Sequence, residues 1–273
     1  MEETRDQRPG EADEHIEPLF FPANTLDPGA PMRWLRAGWA DLRRAPRQSL
    51  TYGFGLVLFG YLLVWLAWDE GNVVLLFTLV TGFVLMGPVL AFGIYSISRQ
   101  LELGLQPRLG YCIEASRNHL RNELLFALVI LVILLIWARA AAMVHVFSPV
   151  SEDLGVIGWI QFLLVGSAVG SIFAGLVFTA SAFSLPMMLD RGTDAITGAL
   201  TSTNAVLRNK GVMLIWGAII VGLVAVGFLT ALIGLAVVLP LIGHATWHAY
   251  RETIPLPEED ASDAEPASGS PAA

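Results

Sequence analysis

The sequence is poor in charge and in cysteine. Only 15% of the 273 residues are charged and 55% are hydrophobic, whereas soluble domains carry roughly 25% charged residues. The one cysteine, Cys112, excludes an internal disulfide and a metal centre built from several cysteines. No basic block or basic stripe with interleaved aromatic residues is present, which excludes a nucleic-acid-binding surface. So low a content of charged residues indicates that part of this chain is surrounded by lipid and not by water.

Long apolar runs take the place of the missing charge. They lack the alternation of barrel strands, so we predict helices. The runs cover about residues 50–68, 73–97, 124–146, 158–185 and 212–249. The first four suit one membrane span each, which needs roughly 20 residues. The last is too long for one span, so we predict a turn at Thr230–Gly234 between helices at 212–230 and 233–250.

The basic residues indicate which loops share one side of the membrane, because Arg and Lys concentrate in short cytoplasmic loops. Thirteen of them flank the apolar runs: Arg33, Arg36, Arg43, Arg44, Arg47, Arg99, Arg108, Arg117, Arg121, Arg191, Arg208, Lys210 and Arg251. All thirteen face one side only if the last run crosses twice. We therefore predict six transmembrane helices in a bacterial inner membrane, with both termini cytoplasmic. No signal peptide precedes the first run, so the first span is expected to direct insertion.

Both ends of the chain are acidic and rich in proline, alanine or serine. Such segments cannot bury enough apolar surface to offset the entropy of ordering. We predict disordered acidic tails over residues 1–31 and 253–273, with the membrane domain over residues 32–252.

A threefold repeat organises the membrane domain. The segments before the odd-numbered spans each contain Leu-Arg followed by Arg or Asn, and the shared leucines are Leu42, Leu120 and Leu207. In the even-numbered spans, Pro88 and Arg99 recur at the same separation as Pro240 and Arg251. We predict an all-α fold of three repeated hairpins, each preceded by a short cytoplasmic amphipathic helix.

Two of these amphipathic helices carry apolar stripes at helical spacing. The stripes consist of Leu35, Gly38, Trp39 and Leu42, and of Ile196, Ala199, Leu200, Thr203 and Leu207. A helix of this kind lies in the headgroup plane with its arginines near phosphate. The first interpretation is a structural collar around the hairpins, and the alternative is recruitment of anionic lipid or a partner.

The fourth span contains small residues at four-residue spacing, Gly166, Gly170 and Ala174, beside Ser167, Ser171 and Gly175. Such a stripe allows two helix backbones to approach closely. We predict that this helix is the packed centre of the bundle, with dimerisation through the same face as the alternative.

The end of the sixth span contains two histidines four residues apart. His244 and His248 share one helical face and could bind a metal or haem. Further ligands would have to come from Cys112, Glu114, His119 or Asp190. The alternative is that both histidines are hydrogen-bonding groups beside Trp247 and Tyr250.

Other signs of chemistry are weak. Asp190 and Arg191 close the fourth span and are expected to anchor the helix end. Arg139, about 15 residues into the third predicted span, is expected to reach the outer interface by snorkelling. The middle of the spans carries no other ionisable residue, which disfavours an ion-coupled transporter but not an uncoupled path. Phosphate-binding glycine loops, zinc-binding His-Glu-x-x-His and a Ser-His-Asp set in its usual context are missing from the sequence. We predict no enzymatic activity and no cofactor.

Three stretches carry a family resemblance: 181–191, Trp216-Gly217 and 240–251. They resemble the bacterial membrane family of domain of unknown function 2189, over about residues 30–252. The motif residues of interest are Pro186, Asp190, Arg191, Pro240, Trp247, Tyr250 and Arg251. The resemblance implies an inner-membrane protein without an assigned activity. Members sometimes carry the label cytochrome c oxidase subunit I, but the histidines expected of that enzyme are missing here, so the label implies no activity.

The sequence therefore leads to a non-enzymatic scaffold or accessory protein of a membrane complex, whose partners are the lipid bilayer and other membrane proteins. A transporter or channel is the first alternative, and it requires a polar path through the bundle. A metal- or haem-handling protein linked to respiratory oxidase assembly is the second alternative, and it requires the histidine pair.

Overall fold

A computed structural model describes residues 20–69, 71, 73–147 and 155–255, without the side chains at 73–74, 112–120, 144–147 and 159. No strand occurs in this described part, so the predicted all-α class is confirmed. The helices are α1 (Ala30–Arg44), α2 (Pro46–Asp69), α3 (Val73–Leu85), α4 (Gly87–Leu90), α5 (Phe92–Glu102), α6 (Leu109–Phe147), α7 (Val156–Ser181), α8 (Ser184–Arg191), α9 (Ala195–Arg208), α10 (Lys210–Leu229) and α11 (Leu235–Thr253).

Every predicted span is helical, although two differ in form. The second is divided into α3, α4 and α5 around Pro88, and the fourth continues past Ser181 into the separate helix α8. The predicted turn at Thr230–Gly234 is confirmed, because the chain reverses between α10 and α11. There the Gly234 amide donates to Thr230 Oγ1 at 2.8 Å. Ala231 and Leu232 adopt positive φ angles of 50° and 69° in this tight reversal.

Four helical stretches of the described part are long and apolar enough to cross a membrane. They are Pro46–Asp69, Arg121–Met143, Val156–Arg191 and Lys210–Leu229. The two other predicted spans do not meet this criterion, for separate reasons. The second is divided into the short helices α3, α4 and α5. The last, α11, contains polar side chains that are buried within the protein. The mean hydropathy of a helix depends only on its own residues and not on the helices packed around it. It therefore does not identify as a span a helix whose polar side chains are covered by protein.

The helix at the centre of the packing is α11. A Cβ atom added to Gly38 of α1 would lie 2.6 Å from the backbone nitrogen of Ala245. One added to Gly53 of α2 would lie 2.1 Å from the carbonyl oxygen of Ala236. Real Cβ atoms do not come this close to backbone, so these two glycines allow α1 and α2 to pack directly on α11.

The prediction that the fourth span is the packed centre is wrong. A Cβ added to Gly166 or Gly175 of α7 would have no atom within 4 Å, and at Gly170 the nearest atom would be Trp137 Nε1 at 3.8 Å. Small residues allow another helix to pack closely, but they do not determine whether a helix lies opposite them. The facing side of α7 borders a cavity over part of its length instead of a packed neighbour.

The amphipathic helices α1 and α9 each pack one face on the bundle. In α1, Gly38 and Leu42 of the apolar stripe are buried, Trp39 of the same stripe is 43% exposed, and Trp34 outside the stripe is also buried. The Trp34 indole donates to Glu252 Oε2 at 2.8 Å and packs edge-on against Trp216. In α9, the predicted stripe points away from the bundle, since Ile196 is 71% exposed. The buried face of α9 consists of Gly198, Thr201, Ser202, Ala205 and Val206.

Residues 20–29 form a strap across the ends of α9 and α11. Its backbone amides make three long-range bonds: Phe21 to Thr201 Oγ1 at 3.1 Å, Asn24 to the Thr253 carbonyl at 2.8 Å, and Leu26 to Asn209 Oδ1 at 2.9 Å. The predicted disordered tail extended to residue 31, whereas residues 20–31 are held on the bundle. The rest of the two predicted tails, residues 1–19 and 256–273, lies outside the described residues.

Candidate functional site

Two polar clusters lie at one end of the bundle, where α1 and α9 meet the carboxyl ends of α5, α8 and α11. We refer to this end as the collar end. The histidine chain consists of Asp41, Ser49, Ser98, His244 and His248. The Asp190 cluster consists of Arg99, Glu102, Asp190, Arg191, Trp247, Tyr250 and Arg251.

His244 lies at the centre of the histidine chain because α11 is enclosed by its neighbours. It is fully buried, and both ring nitrogens are within hydrogen-bond distance of hydroxyl groups. Its Nε2 lies 2.9 Å from Ser49 Oγ of α2, and its Nδ1 lies 2.6 Å from Ser98 Oγ of α5. One side chain therefore bonds α11 to two other helices.

The directions of these bonds assign the protons of the imidazole ring. The Ser98 hydroxyl donates its proton to Asp41 Oδ2 at 3.1 Å. Ser98 Oγ must then accept from His244, so the ring carries a proton on Nδ1. The Nε2 atom accepts from the Ser49 hydroxyl. A neutral imidazole, with one donor and one acceptor, completes both contacts.

Asp41 lies between Ser98 and His248 in the chain and is itself buried. Its Oδ2 also lies 2.8 Å from Nε2 of His248, which is partly exposed. A buried carboxylate is unfavourable unless it is paired and hydrogen-bonded. Asp41 has two such partners, on α5 and α11, and so joins α1 to both helices.

A metal bound by the histidine pair would need ring nitrogens of His244 and His248 that already form hydrogen bonds in this structure. Both nitrogens of His244 contact serine hydroxyls, and Nε2 of His248 contacts Asp41. The part of the chain that the structure describes contains no group of three or more His, Cys, Asp or Glu residues that could hold a metal ion. The side chains of the further predicted ligands Cys112, Glu114 and His119 lie outside that part. Metal or haem binding by the histidine pair stays a prediction.

Asp190 is the acceptor at the centre of the second cluster. Its Oδ2 accepts from the Tyr250 hydroxyl at 2.8 Å and from Arg251 Nη1 at 3.0 Å. Arg99 Nε lies 3.4 Å from its Oδ1. The three partners come from α5 and α11, so one carboxylate on α8 connects the ends of three helices.

Two more residues extend the Asp190 cluster. Glu102 of α5 lies 2.9 Å from Arg251 Nη2 and accepts from the Trp247 indole at 2.8 Å. Arg191 donates to the Tyr250 hydroxyl at 2.9 Å and, through Nη2, to the carbonyls of Ile254 and Pro255. Its guanidinium also lies 5.2 Å from the centre of the Phe21 ring. The cluster therefore holds both the strap and the chain after α11.

Sequence reasoning found part of this site. Five of the seven motif residues, Asp190, Arg191, Trp247, Tyr250 and Arg251, meet in one cluster. The others, Pro186 and Pro240, are buried inside α8 and α11. Four members of the two clusters were not predicted from the sequence: Asp41, Ser49, Ser98 and Glu102. A signal existed for Asp41, which follows Trp34 and Gly38 at the spacing of one buried helix face.

The histidine chain contains serine, histidine and aspartate but cannot act as a hydrolytic triad. Ser49 and His244 have no exposed surface, so a substrate cannot reach either. The carboxylate of Asp41 reaches the imidazole only through Ser98, whereas a triad needs direct contact. The arrangement is suited to holding helices together.

A cavity of about 640 Å³ lies between α3–α5, α7, α10 and α11, beside the polar clusters. Its wall is almost entirely carbon, with side chains such as Phe83, Phe178, Trp216 and Leu239. The cavity therefore does not provide the polar path that a transporter or channel for hydrophilic solutes requires.

Comparison with known families identifies the class of the protein. Residues 75–190 match the family described as Predicted integral membrane protein (DUF2189), which confirms the resemblance drawn from the sequence motifs. The match includes most of the 181–191 motif but neither Trp216 nor the 240–251 motif, and is shorter than the predicted 30–252. The protein is an integral membrane protein with several apolar helices. No curated protein and no solved structure matches the chain.

Proposed function

We propose that the protein is a non-enzymatic scaffold or accessory protein of a bacterial inner-membrane complex. The observation that supports this function is the closed bonding at the collar end. Each side chain of the histidine chain is bonded to another member, and the carboxylates of the Asp190 cluster are paired with arginines. These bonds fix α1, α5, α8 and α11 relative to one another.

The fixed collar presents one face of α1 to partners. Arg36, Trp39 and Arg43 are exposed on this helix, while Trp34, Gly38 and Asp41 of the same helix are buried. Arginine and tryptophan are enriched among the residues that dominate protein interfaces. A rigid surface of this kind loses little conformational entropy when it binds.

A paired substitution tests this function. Trp39→Ala removes an exposed indole at the collar end, and Trp65→Ala removes one that is 60% exposed on α2. Partners are to be crosslinked in native membranes, co-purified with the full chain and quantified. We expect Trp39→Ala to lower partner recovery several-fold and Trp65→Ala to leave it unchanged, with equal amounts of inserted protein. Equal recovery with both variants would count against the scaffold.

We also propose six spans with both termini in the cytoplasm. The turn at Thr230–Gly234 returns α11 towards the collar end, so α10 and α11 cover the same depth in opposite directions. With a rise of about 1.5 Å per residue, a helix of 19 residues is roughly 28 Å long, close to the hydrocarbon thickness. The polar residues of α11 are compatible with a span because protein surrounds them.

Cysteine labelling distinguishes six spans from four. Single cysteines replace exposed residues, as Asp69→Cys, Leu105→Cys and Thr230→Cys, in a Cys112→Ser background. A membrane-impermeant maleimide on intact spheroplasts should label positions 69 and 230 but not 105, which should react only after permeabilisation. If α3–α5 does not cross the membrane, position 105 is labelled from outside and the six-span topology is wrong.

The two other functions have specific tests of their own. A transporter or channel would produce solute flux in vesicles containing the purified protein. Because the cavity is apolar, we expect no flux of hydrophilic solutes. A metal- or haem-handling protein would retain metal or show a Soret band after purification, and His244→Ala with His248→Ala would remove it. We propose neither function and no resident cofactor.

A further inference from the structure

The cavity beside the collar end has the shape of a channel for an alkyl chain. The residues of α10 that line it run from Lys210 to Phe228, and those of α7 run from Ser171 to Ser181. At about 1.5 Å per residue, the α10 wall is roughly 27 Å long. The volume of about 640 Å³ lies within the range of roughly 300–1,000 Å³ typical of sites for small molecules.

The helices α7 and α10 both line the cavity without packing against each other where the structure describes them. In the described part of the chain, α7 packs mainly on α6 and α9, α10 packs mainly on α11, and α7 and α10 do not form a packed pair. Both helices are apolar enough to be membrane spans. An opening between two spans faces the bilayer, so a lipid can enter it without crossing water.

Small residues keep the opening wide. A Cβ at Gly175 of α7 would have no atom within 4 Å, and one at Gly217 of α10 would first meet Phe178 at 3.9 Å. Both glycines line the cavity, as do Ser171 and Ala174 from the small-residue stripe of α7. This part of the stripe therefore borders a space that an alkyl chain fits.

Among the residues that the structure describes, Lys210 is the one charged residue that lines the cavity, and it lies at the collar end. It is exposed, and within the described residues its ammonium group forms no hydrogen bond or ion pair. A cation at one end of an otherwise apolar cavity is complementary to an amphiphile with an anionic headgroup. A Lys or Arg near the membrane surface attracts anionic lipid.

We propose that the cavity binds an anionic phospholipid from the leaflet at the collar end. One acyl chain lies between α7 and α10, and the phosphate lies beside Lys210. The cation at one end of the apolar wall favours a phospholipid over a second copy of the chain at this site. The proposal is independent of the scaffold function, since it requires no protein partner.

Native mass spectrometry of the full chain tests the lipid site. The protein is purified from nanodiscs containing equal amounts of dioleoyl phosphatidylglycerol and dioleoyl phosphatidylcholine, and retained lipid is counted. We expect one retained phosphatidylglycerol per chain. Gly217→Leu and Gly175→Leu should each lower retention about tenfold or more, because the new side chain occupies the space of several methylene groups. Lys210→Gln should lower the preference for phosphatidylglycerol about fivefold.

Matched variants keep this test interpretable. Gly222→Leu is the control in α10 and Gly166→Leu is the control in α7, because both glycines have open space and neither lines the cavity. Arg208→Gln is the charge control, since Arg208 is exposed near Lys210 but does not line the cavity. Leucine favours helix more than glycine, so none of these substitutions should impair folding.

Three outcomes would overturn the proposal. The first is unchanged lipid retention in Gly217→Leu and Gly175→Leu. The second is equal retention of the two lipids, or retention of added oleate in place of a phospholipid. The third is a dimer that Gly175→Leu converts to a monomer without loss of lipid, which would make the cavity a protein contact. Partner recovery in these variants reports separately on the scaffold function.

Discussion

The helices α7 and α11 meet their surroundings in opposite ways, although both contain small residues and both were predicted to span the membrane. The helix α7 is strongly apolar, and two of its glycines, Gly166 and Gly175, face open space. The helix α11 contains two histidines, a buried proline and several polar side chains, and neighbouring glycines bring α1 and α2 against its backbone. Hydropathy therefore selects α7 as a span and passes over α11.

The difference shows that the surroundings of a helix determine which contacts its side chains make. Protein covers α11, so its polar groups must find partners within the chain, and they do so in the histidine chain and the Asp190 cluster. Much of the α7 surface is exposed, two of its glycines border open space, and its hydroxyls bond within the helix, as Ser171 does to the Ala168 carbonyl. The same residue types produce a packed contact on one helix and a cavity wall on the other.

The largest expected effect comes from adding one methyl group to the contact with α11. Gly53→Ala places a Cβ 2.1 Å from the Ala236 carbonyl, so α2 and α11 must separate. We expect a loss of about 3 kcal/mol in the free energy of unfolding. Gly166→Ala in α7 should change it by no more than about 0.5 kcal/mol. Tryptophan-fluorescence melting of the purified full chain measures both, and equal melting temperatures would refute the contrast.

The second effect tests the polar covering of α11. His244→Ala leaves Ser49 and Ser98 without their imidazole partner in a buried site and opens a cavity. The expected loss is about 2–3 kcal/mol. Ser171→Ala removes an exposed hydroxyl of α7 and should cost less than about 0.5 kcal/mol. If chemical unfolding in mixed micelles finds both variants equally stable, the histidine chain does not stabilise the bundle.

The third effect concerns α8, which follows α7 in the chain and contacts α11 through Asp190. Asp190→Asn removes the charge that pairs with Arg251 and Arg99, and we expect a loss of about 1–3 kcal/mol. Asp194→Asn is the control, because Asp194 caps α9 through two backbone amides and asparagine caps a helix equally well. Limited proteolysis of the segment after α11 provides the measurement. Faster cleavage in Asp190→Asn alone is expected, and similar rates in both variants would contradict it.

The smallest effect depends on pH and lies outside the bundle. The hydrogen bond from Arg33 and that from the Gly29 amide lower the pKa of Asp27 from 3.8 to about 2. Because the folded pKa is the lower one, this contact stabilises the strap above about pH 4, and the stabilisation disappears as the pH falls towards 2. The melting temperature of the wild type should exceed that of Asp27→Asn above pH 4, and the two should converge below it. A constant difference over this range would mean that the carboxylate does not contribute through its charge.

Patterns that depend on neighbours along the chain were predicted well. The helical runs, the turn at Thr230–Gly234 and the location of the motif residues follow from local composition and spacing. The centre of the bundle was predicted wrongly, because the stripe of Gly166 and Gly170 carries no information about which helix faces it. The burial of Trp34, which lies outside the apolar stripe of α1, was not predicted, since its indole partner Glu252 is more than two hundred residues away.

The sequence by itself determined that this is a helical membrane protein, because apolar runs of this length leave the backbone no partner but itself. It also located the polar motif of α11, since histidine, tryptophan and tyrosine are conspicuous in an apolar chain. Only the tertiary structure decided that α11 is covered by protein while α7 borders a cavity that ends at Lys210. That distinction depends on which helices face each other, and each such contact joins residues that are distant in sequence.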